Sequence, residues 1–249
     1  MTTAGAGPGH IDIGKVLRDG LDIYKRSAVT IWVVTLILII PVAIIRYFEQ
    51  DTGSWLLGLI GGIAMLILEL YLTGSLVKVV QEAEEDGSAP VSTVGALIGS
   101  VTRKLFPLLI MGIIVAVCTE VGFIFLIIPG LFVALIWSVC VPAMMVEDRG
   151  IFDSLGRSYN ITNGNRWRMI GLAIVLVIIY AIIFIIAGLL AAIAPIVGVI
   201  AFVVAGVLLY PYSALIRTVL FYDLLEANGE AAVVVVEQVT EMPSGEMPA

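Results

Sequence analysis

The chain has 249 residues, of which 60% are hydrophobic and 13% charged, with a net charge of −7 and a mean hydropathy of +1.10. Soluble domains carry about 25% charged residues, so water is not the solvent for most of this sequence. The acidic balance excludes nucleic acid as a partner, because phosphate binding needs a basic surface.

Taken in chain order, the sequence predicts a ten-residue tail (residues 1–10), a membrane domain over 11–227 and an acidic, small-residue tail over 228–249 that reads as disordered. His10, the only histidine, lies in the first tail and is assigned no role. Ile11–Ser27 places Ile13, Val16, Leu17, Gly20, Leu21 and Tyr24 at helical spacing with charges between them, the pattern of an interfacial amphipathic helix. Ala28–Phe48 and Trp55–Val77 follow as the first two spans, each long enough to cross about 30 Å of hydrocarbon. A second amphipathic segment, Val91–Lys104, precedes spans Leu105–Ile128 and Leu131–Val146. Pro129-Gly130 divides those two, since proline with glycine is turn chemistry. A third, Ile151–Thr162, precedes spans Trp167–Leu190 and Ile196–Tyr222, parted at Ala194-Pro195. The expected fold class is all-α: a polytopic membrane bundle of six transmembrane helices with short amphipathic helices on the cytoplasmic side. Its layout suggests a threefold repeat of helix plus hairpin, over Ile11–Val80, Val91–Val146 and Ile151–Tyr222.

Lysine and arginine set the orientation. Lys15, Arg18, Lys25 and Arg26, then Lys78, Arg103 and Lys104, then Arg149, Arg157, Arg166 and Arg168, and Arg217 near the end of the sixth span, all fall on one side, with Arg46 alone opposite. Both termini are therefore expected in the cytoplasm. Arg149, Arg157, Arg166 and Arg168 are candidates for lipid head-group binding. Gly58 and Gly62 form a GxxxG pair, and small residues recur at Gly188 and Ala192 and at Ala201 and Ala205, suiting close helix packing within one bundle or between two copies.

Two acids fall inside spans, Glu69 and Glu120. Ionisable groups in the bilayer are costly and are functional candidates by default. One reading makes each a neutral donor that joins helices, Glu69 with Thr73 and Glu120 with Ser138, because Pro129 would set residues 120 and 138 at equal depth. The alternative reading makes Glu69 and Glu120 a proton pathway in a transporter of a small or lipidic substrate. Cys118 and Cys140 lie in apolar runs and suit packing. The sequence carries no metal-ligand spacing, phosphate loop, dinucleotide fingerprint or nucleophile elbow, so no enzymatic activity, cofactor or metal is expected.

Two stretches carry a resemblance: "IIPGLFVALIWSVCVPAMMVEDRGIFDSLGRSYNITNGNRWRMIGL" (Ile127–Leu172) and "LLYPYSALIRTVLFYDLLEANG" (Leu208–Gly229). With Pro129-Gly130, Glu147, Arg157-Ser158, Trp167-Arg168 and Tyr222-Asp223-Leu224 in that order, the chain resembles the membrane domain attached to some bacterial glycerophosphodiester phosphodiesterases and its stand-alone relatives. The first half matches by layout only, and no stretch of this sequence is expected to form the phosphodiesterase domain. The resemblance implies a bacterial inner-membrane protein near lipid metabolism. The function expected from the sequence is non-enzymatic: binding or organising lipid, or supporting a membrane partner. Membrane lipids are the expected partners, with another membrane protein or a second copy of the chain as further candidates.

Overall fold

A computed structural model describes residues 9–86 and 94–230, with a few side chains in α2–α4 and α10 excepted. Among them every regular element is helical: α1 (Ile13–Arg26), α2 (Ala28–Thr52), α3 (Trp55–Asp86), α4 (Val94–Thr102), α5 (Leu105–Phe125), α6 (Ile127–Ile136), α7 (Cys140–Val146), α8 (Ile151–Ile161), α9 (Arg166–Ile193) and α10 (Pro195–Ala227). Five segments are long and apolar enough to cross a membrane, with α6 and α7 together making one of them, and α1 with α2 adds a sixth as a pair bent by 84°. The protein is thus a helical membrane bundle. The order short helix, then two long arms recurs three times, beginning at α1, α4 and α8. Residues 91–93 of the second amphipathic segment and residues 231–249 of the acidic tail lie outside the described residues.

Local chemistry explains the boundaries. Asp12 caps α1, its carboxylate accepting from Gly14 N at 2.8 Å and Lys15 N at 3.3 Å. The hairpin between α5 and α6 turns at Leu126, whose backbone is extended, and not at Pro129-Gly130. Pro129 falls in the first turn of α6, where the N–H it lacks would have no helical partner. Gly130 serves packing: a Cβ there would overlap Phe123, and one on Gly122 would meet Gly130 Cα at 2.8 Å. The following span is broken over Trp137–Val139. Pro142 cannot donate to the carbonyl of Ser138, four residues back, so the chain resets before continuing as α7. Ser158 Oγ donates to the freed Ile136 carbonyl at 2.6 Å. Ala194 makes the last turn as expected, and Gly198 lets α10 close onto Ala191.

α3 has 32 residues and α10 has 33, about 48 and 50 Å at 1.5 Å per residue. Both exceed the ~30 Å hydrocarbon core. Burial shows where the excess goes. Almost every position of α3 from Leu68 to Val80 is buried, as is α10 from Ala214 to Leu225 except Arg217 and Tyr222. The opposite halves expose apolar side chains, including Trp55, Leu56, Leu59 and Ile63 on α3 and Val197, Ile200, Val203 and Val204 on α10. One end of the bundle is therefore a packed layer in which α1, α4, α7 and α8 surround α3 and α10. The other end offers its side chains to lipid. Within the layer α1 runs antiparallel along α10: Gly20 admits Ile216, and Tyr24 packs edge-on to Tyr212 with ring centroids 5.9 Å apart.

Candidate functional site

Glu69 does not bond Thr73. Its carboxylate pairs with Arg217 of α10, Nη1 to Oε1 at 2.5 Å, while the side chains keep 49% and 36% of their surface exposed. Thr73 is buried and its hydroxyl has no hydrogen-bond partner among the described residues. By rise, Glu69 is about 21 Å along α3 from Trp55, so the pair sits toward the packed end of the span. Glu120 is exposed and has no hydrogen-bond or ion-pair partner among the described residues. The expected bond from Ser138 is absent, because Ser138 Oγ donates to Leu135 O at 2.8 Å. The cause is the hairpin's centre. Turning at Leu126 sets residue 120 level with residue 132, not 138. Nor do the two acids meet. Gly112 of α5 lies against Leu66 and Leu70 of α3, which puts Glu120 level with about residue 60 and about 13 Å along the bundle from Glu69.

The four arginines proposed for head groups are largely engaged by protein. Arg157, 14% exposed, donates Nε to both Glu147 oxygens at 3.0 Å and also pairs with Glu230. Burial disfavours its charge, but these two carboxylates outweigh that and hold its pKa above the ordinary value. Arg149 pairs with the same Glu147, itself 6% exposed. Arg168 Nη1 donates to Ile11 O at 2.7 Å. Arg166 lies over Tyr159 and Phe132, 4.6 and 5.2 Å from the ring centroids. Its Nε is buried with no hydrogen-bond partner among the described residues.

The layer holds a further cluster that sequence reasoning did not single out. Lys15 Nζ reaches Asp223 and Glu226, both at 2.8 Å. Burial works against the ammonium, yet the two carboxylates raise its pKa overall. Ile11 N donates to Asn165 Oδ1 at 3.1 Å, and Asn228 Nδ2 to Ile161 O at 3.0 Å. Asn228 and Glu230, assigned to the tail from the sequence, are thus part of the packed layer. Pro211, inside α10, interrupts the backbone ladder. The nearby Leu208 and Leu209 carbonyls accept from Tyr24 Oη at 3.1 Å and Tyr180 Oη at 3.3 Å.

A groove of about 580 Å³ opens beside this layer, lined by Val77, Lys78, Gln81, Gly99, Ser100, Arg103, Lys104 and Met145. Lys104 pairs with Asp148 and donates to Met144 O at 3.3 Å. Lys78 and Arg103 have no ion-pair partner among the described residues. No group of three His, Cys, Asp or Glu suited to a metal occurs among the described residues.

The class defined by this geometry is a multi-pass helical membrane protein in which several charged side chains, among them Lys15, Glu69, Arg157 and Arg217, fasten one element to another. No protein-family model, curated protein or solved structure matches the chain. The residues that carry the sequence resemblance have structural work in this chain: Glu147 with Arg157, Ser158 on the α6 terminus, Arg168 on Ile11, and Asp223 on Lys15.

Proposed function

We propose that the protein is a non-enzymatic multi-pass protein of a bacterial cytoplasmic membrane, with both termini cytoplasmic, that binds and organises anionic lipid at its packed end. The observation that carries this reading is the Glu69–Arg217 pair. It closes the intramembrane carboxylate on a cation that keeps its proton throughout, an arrangement suited to joining α3 to α10. A relay would need a second titrating group within reach, and Glu120 is about 13 Å further along the bundle. The lysine and arginine bias supports the orientation. The resemblance to membrane domains attached to lipid-related phosphodiesterases supports the lipid association.

Proton-coupled transport is the competing function, and the half-exposed Glu69 carboxylate beside an unpartnered Thr73 hydroxyl favours it. Purified protein in liposomes with an entrapped pH dye separates the two. The lipid reading expects co-purified anionic phospholipid and no protein-dependent proton flux. A flux seen with the parent and lost in a well-folded Glu69→Gln variant would overturn it.

A further inference from the structure

We infer that the groove between α3, α4 and the start of α5 binds the phosphate of an anionic phospholipid head group. This rests on the lipid-binding reading above and assigns it a site. Three cations converge there from two directions. Lys78 comes from α3, one turn before Gln81, while Arg103 and Lys104 form the turn between α4 and α5. Unlike Lys15, Arg157 and Arg217, which spend their charge on carboxylates, Lys78 and Arg103 have no counter-ion among the described residues. Lys104 has only the exposed Asp148. Like charges gathered in one concavity repel, and an anion held between them removes that cost. The guanidinium fork of Arg103 matches phosphate geometry, and the lysines add point charges. Ser100 and Gln81 supply further polar groups, and the half-buried Met145 offers an apolar contact to a glycerol backbone.

The depth suits a lipid. Lys78 is 23 residues beyond Trp55, about 34 Å along α3, just past the ~30 Å hydrocarbon core. That is where head-group phosphates lie. The groove's form is held by packing. A Cβ on Gly74 would meet Val101 Cγ2 at 3.0 Å, and Tyr71 and Thr102 hydroxyls bond at 2.9 Å, so α4 is seated closely on α3. Gly99 faces open space, with nothing within 4 Å of where its Cβ would be.

Gly99 supplies a test that leaves the charges in place. Gly99→Leu places its Cβ where nothing lies within 4 Å and adds bulk to a residue that lines the groove, and leucine favours the helix over glycine. Full-length protein in a neutral detergent is titrated with short-chain phosphatidylglycerol, short-chain phosphatidylcholine or inorganic phosphate. Bound lipid is read by native mass spectrometry and ligand stabilisation by melting. The parent is expected to bind phosphatidylglycerol at least about tenfold more tightly than phosphatidylcholine. Lys78→Gln, Arg103→Gln and Gly99→Leu should each weaken phosphatidylglycerol about tenfold, the loss of one charged hydrogen bond or its steric equivalent. Lys25→Gln, an exposed cation outside the groove, should bind as the parent does.

If all three groove variants keep the parent's preference for phosphatidylglycerol, the site is wrong while the lipid reading stands. If the parent has no such preference, both fail. Inorganic phosphate stabilising the parent as well as phosphatidylglycerol does, with the same sensitivity to the variants, would make this a soluble-phosphate site and overturn the lipid assignment.

Discussion

Cutting the Glu69–Arg217 pair from either side should give unequal losses, and cutting both should restore most of the stability. Removing one partner of a fully buried ion pair costs about 3–5 kcal/mol, whereas an exposed pair contributes about 0–1 kcal/mol. With 49% and 36% of the two side chains exposed, the loss falls midway, about 2 kcal/mol. The asymmetry comes from proton chemistry. Glu69→Leu strands a guanidinium that cannot shed its charge. Arg217→Met strands a carboxylate that can take up a proton and become neutral. Glu69→Leu should therefore lose about 2–3 kcal/mol and Arg217→Met about 1 kcal/mol, while the double variant should lie within about 1 kcal/mol of the parent. At roughly 2–4 °C per kcal/mol for a chain of this size, Glu69→Leu should lower the melting midpoint by about 4–12 °C. The assay is thermal unfolding of the four proteins in one detergent, analysed as a double-mutant cycle. Additive losses, with the double variant the least stable, would refute the claim that the two residues act as a pair.

Other outcomes follow from the packing and the charge pairs. Gly198→Val should lose about 1–3 kcal/mol through overlap with Ala191, whereas Gly62→Ala, whose Cβ would meet nothing within 4 Å, should be neutral or gain up to about 1 kcal/mol; a change of oligomeric state in Gly62→Ala would instead place that glycine between two copies. Lys15→Gln should speed amide exchange in α1 while leaving α3 protected, since it frees Asp223 and Glu226; equal exchange in parent and variant would show the contact idle. The Lys15 pKa is raised on folding, so its stabilising contribution is complete below the ordinary lysine value and fades only as pH rises through the folded one. Thermal stability lost on raising pH from 6 to 9 should therefore be the same in parent and Lys15→Gln, and a difference that grows over that window would contradict the assignment.

What the sequence reveals here follows from how local each cause is. Long apolar runs decide membrane insertion by themselves, so the long helices and the three short ones preceding each pair of arms were legible. Ala194 was legible as a turn because Pro195 fits the first position of a helix. Pro129 misled for the same reason: proline in the first turn is as comfortable as proline in a turn, and only the glycine contact between residues 122 and 130 fixes the hairpin's centre at Leu126. That three-residue shift changed which residue stands level with Glu120. The break over Trp137–Val139 was signalled by Pro142 but not drawn from it. The pairing of Glu69 with Arg217 joins positions far apart in the chain. Its one local signal is that two opposite charges each interrupt an apolar run, and such charges have little other choice of partner. The arginines of the third segment were legible as charges but not as fasteners, since Glu147 and Glu230 reach Arg157 only through the packing of α7, α8 and α10.

The two ends of the bundle meet different demands, and the placement of its charges follows from that. Toward one end α3 and α10 expose leucine, isoleucine and valine, and a Cβ on Gly62 of α3 would meet nothing within 4 Å among the described residues. Toward the other end α1, α4, α7 and α8 enclose them, and charge pairs such as Lys15–Asp223 and Arg157–Glu147 fix the contacts. Glu69 and Arg217 stand at that transition. There the pair is screened enough to be formed without the full penalty of burial, yet dry enough to matter. Glu120 is the exception: an exposed carboxyl on an apolar surface, with no partner among the described residues. Left to lipid it costs stability in either protonation state, so Glu120→Leu should raise the melting midpoint of the isolated protein. If instead that variant melts lower, or loses a co-purifying membrane protein, the carboxyl is satisfied from outside the chain, and the face formed by α5 and α6 is where a partner docks.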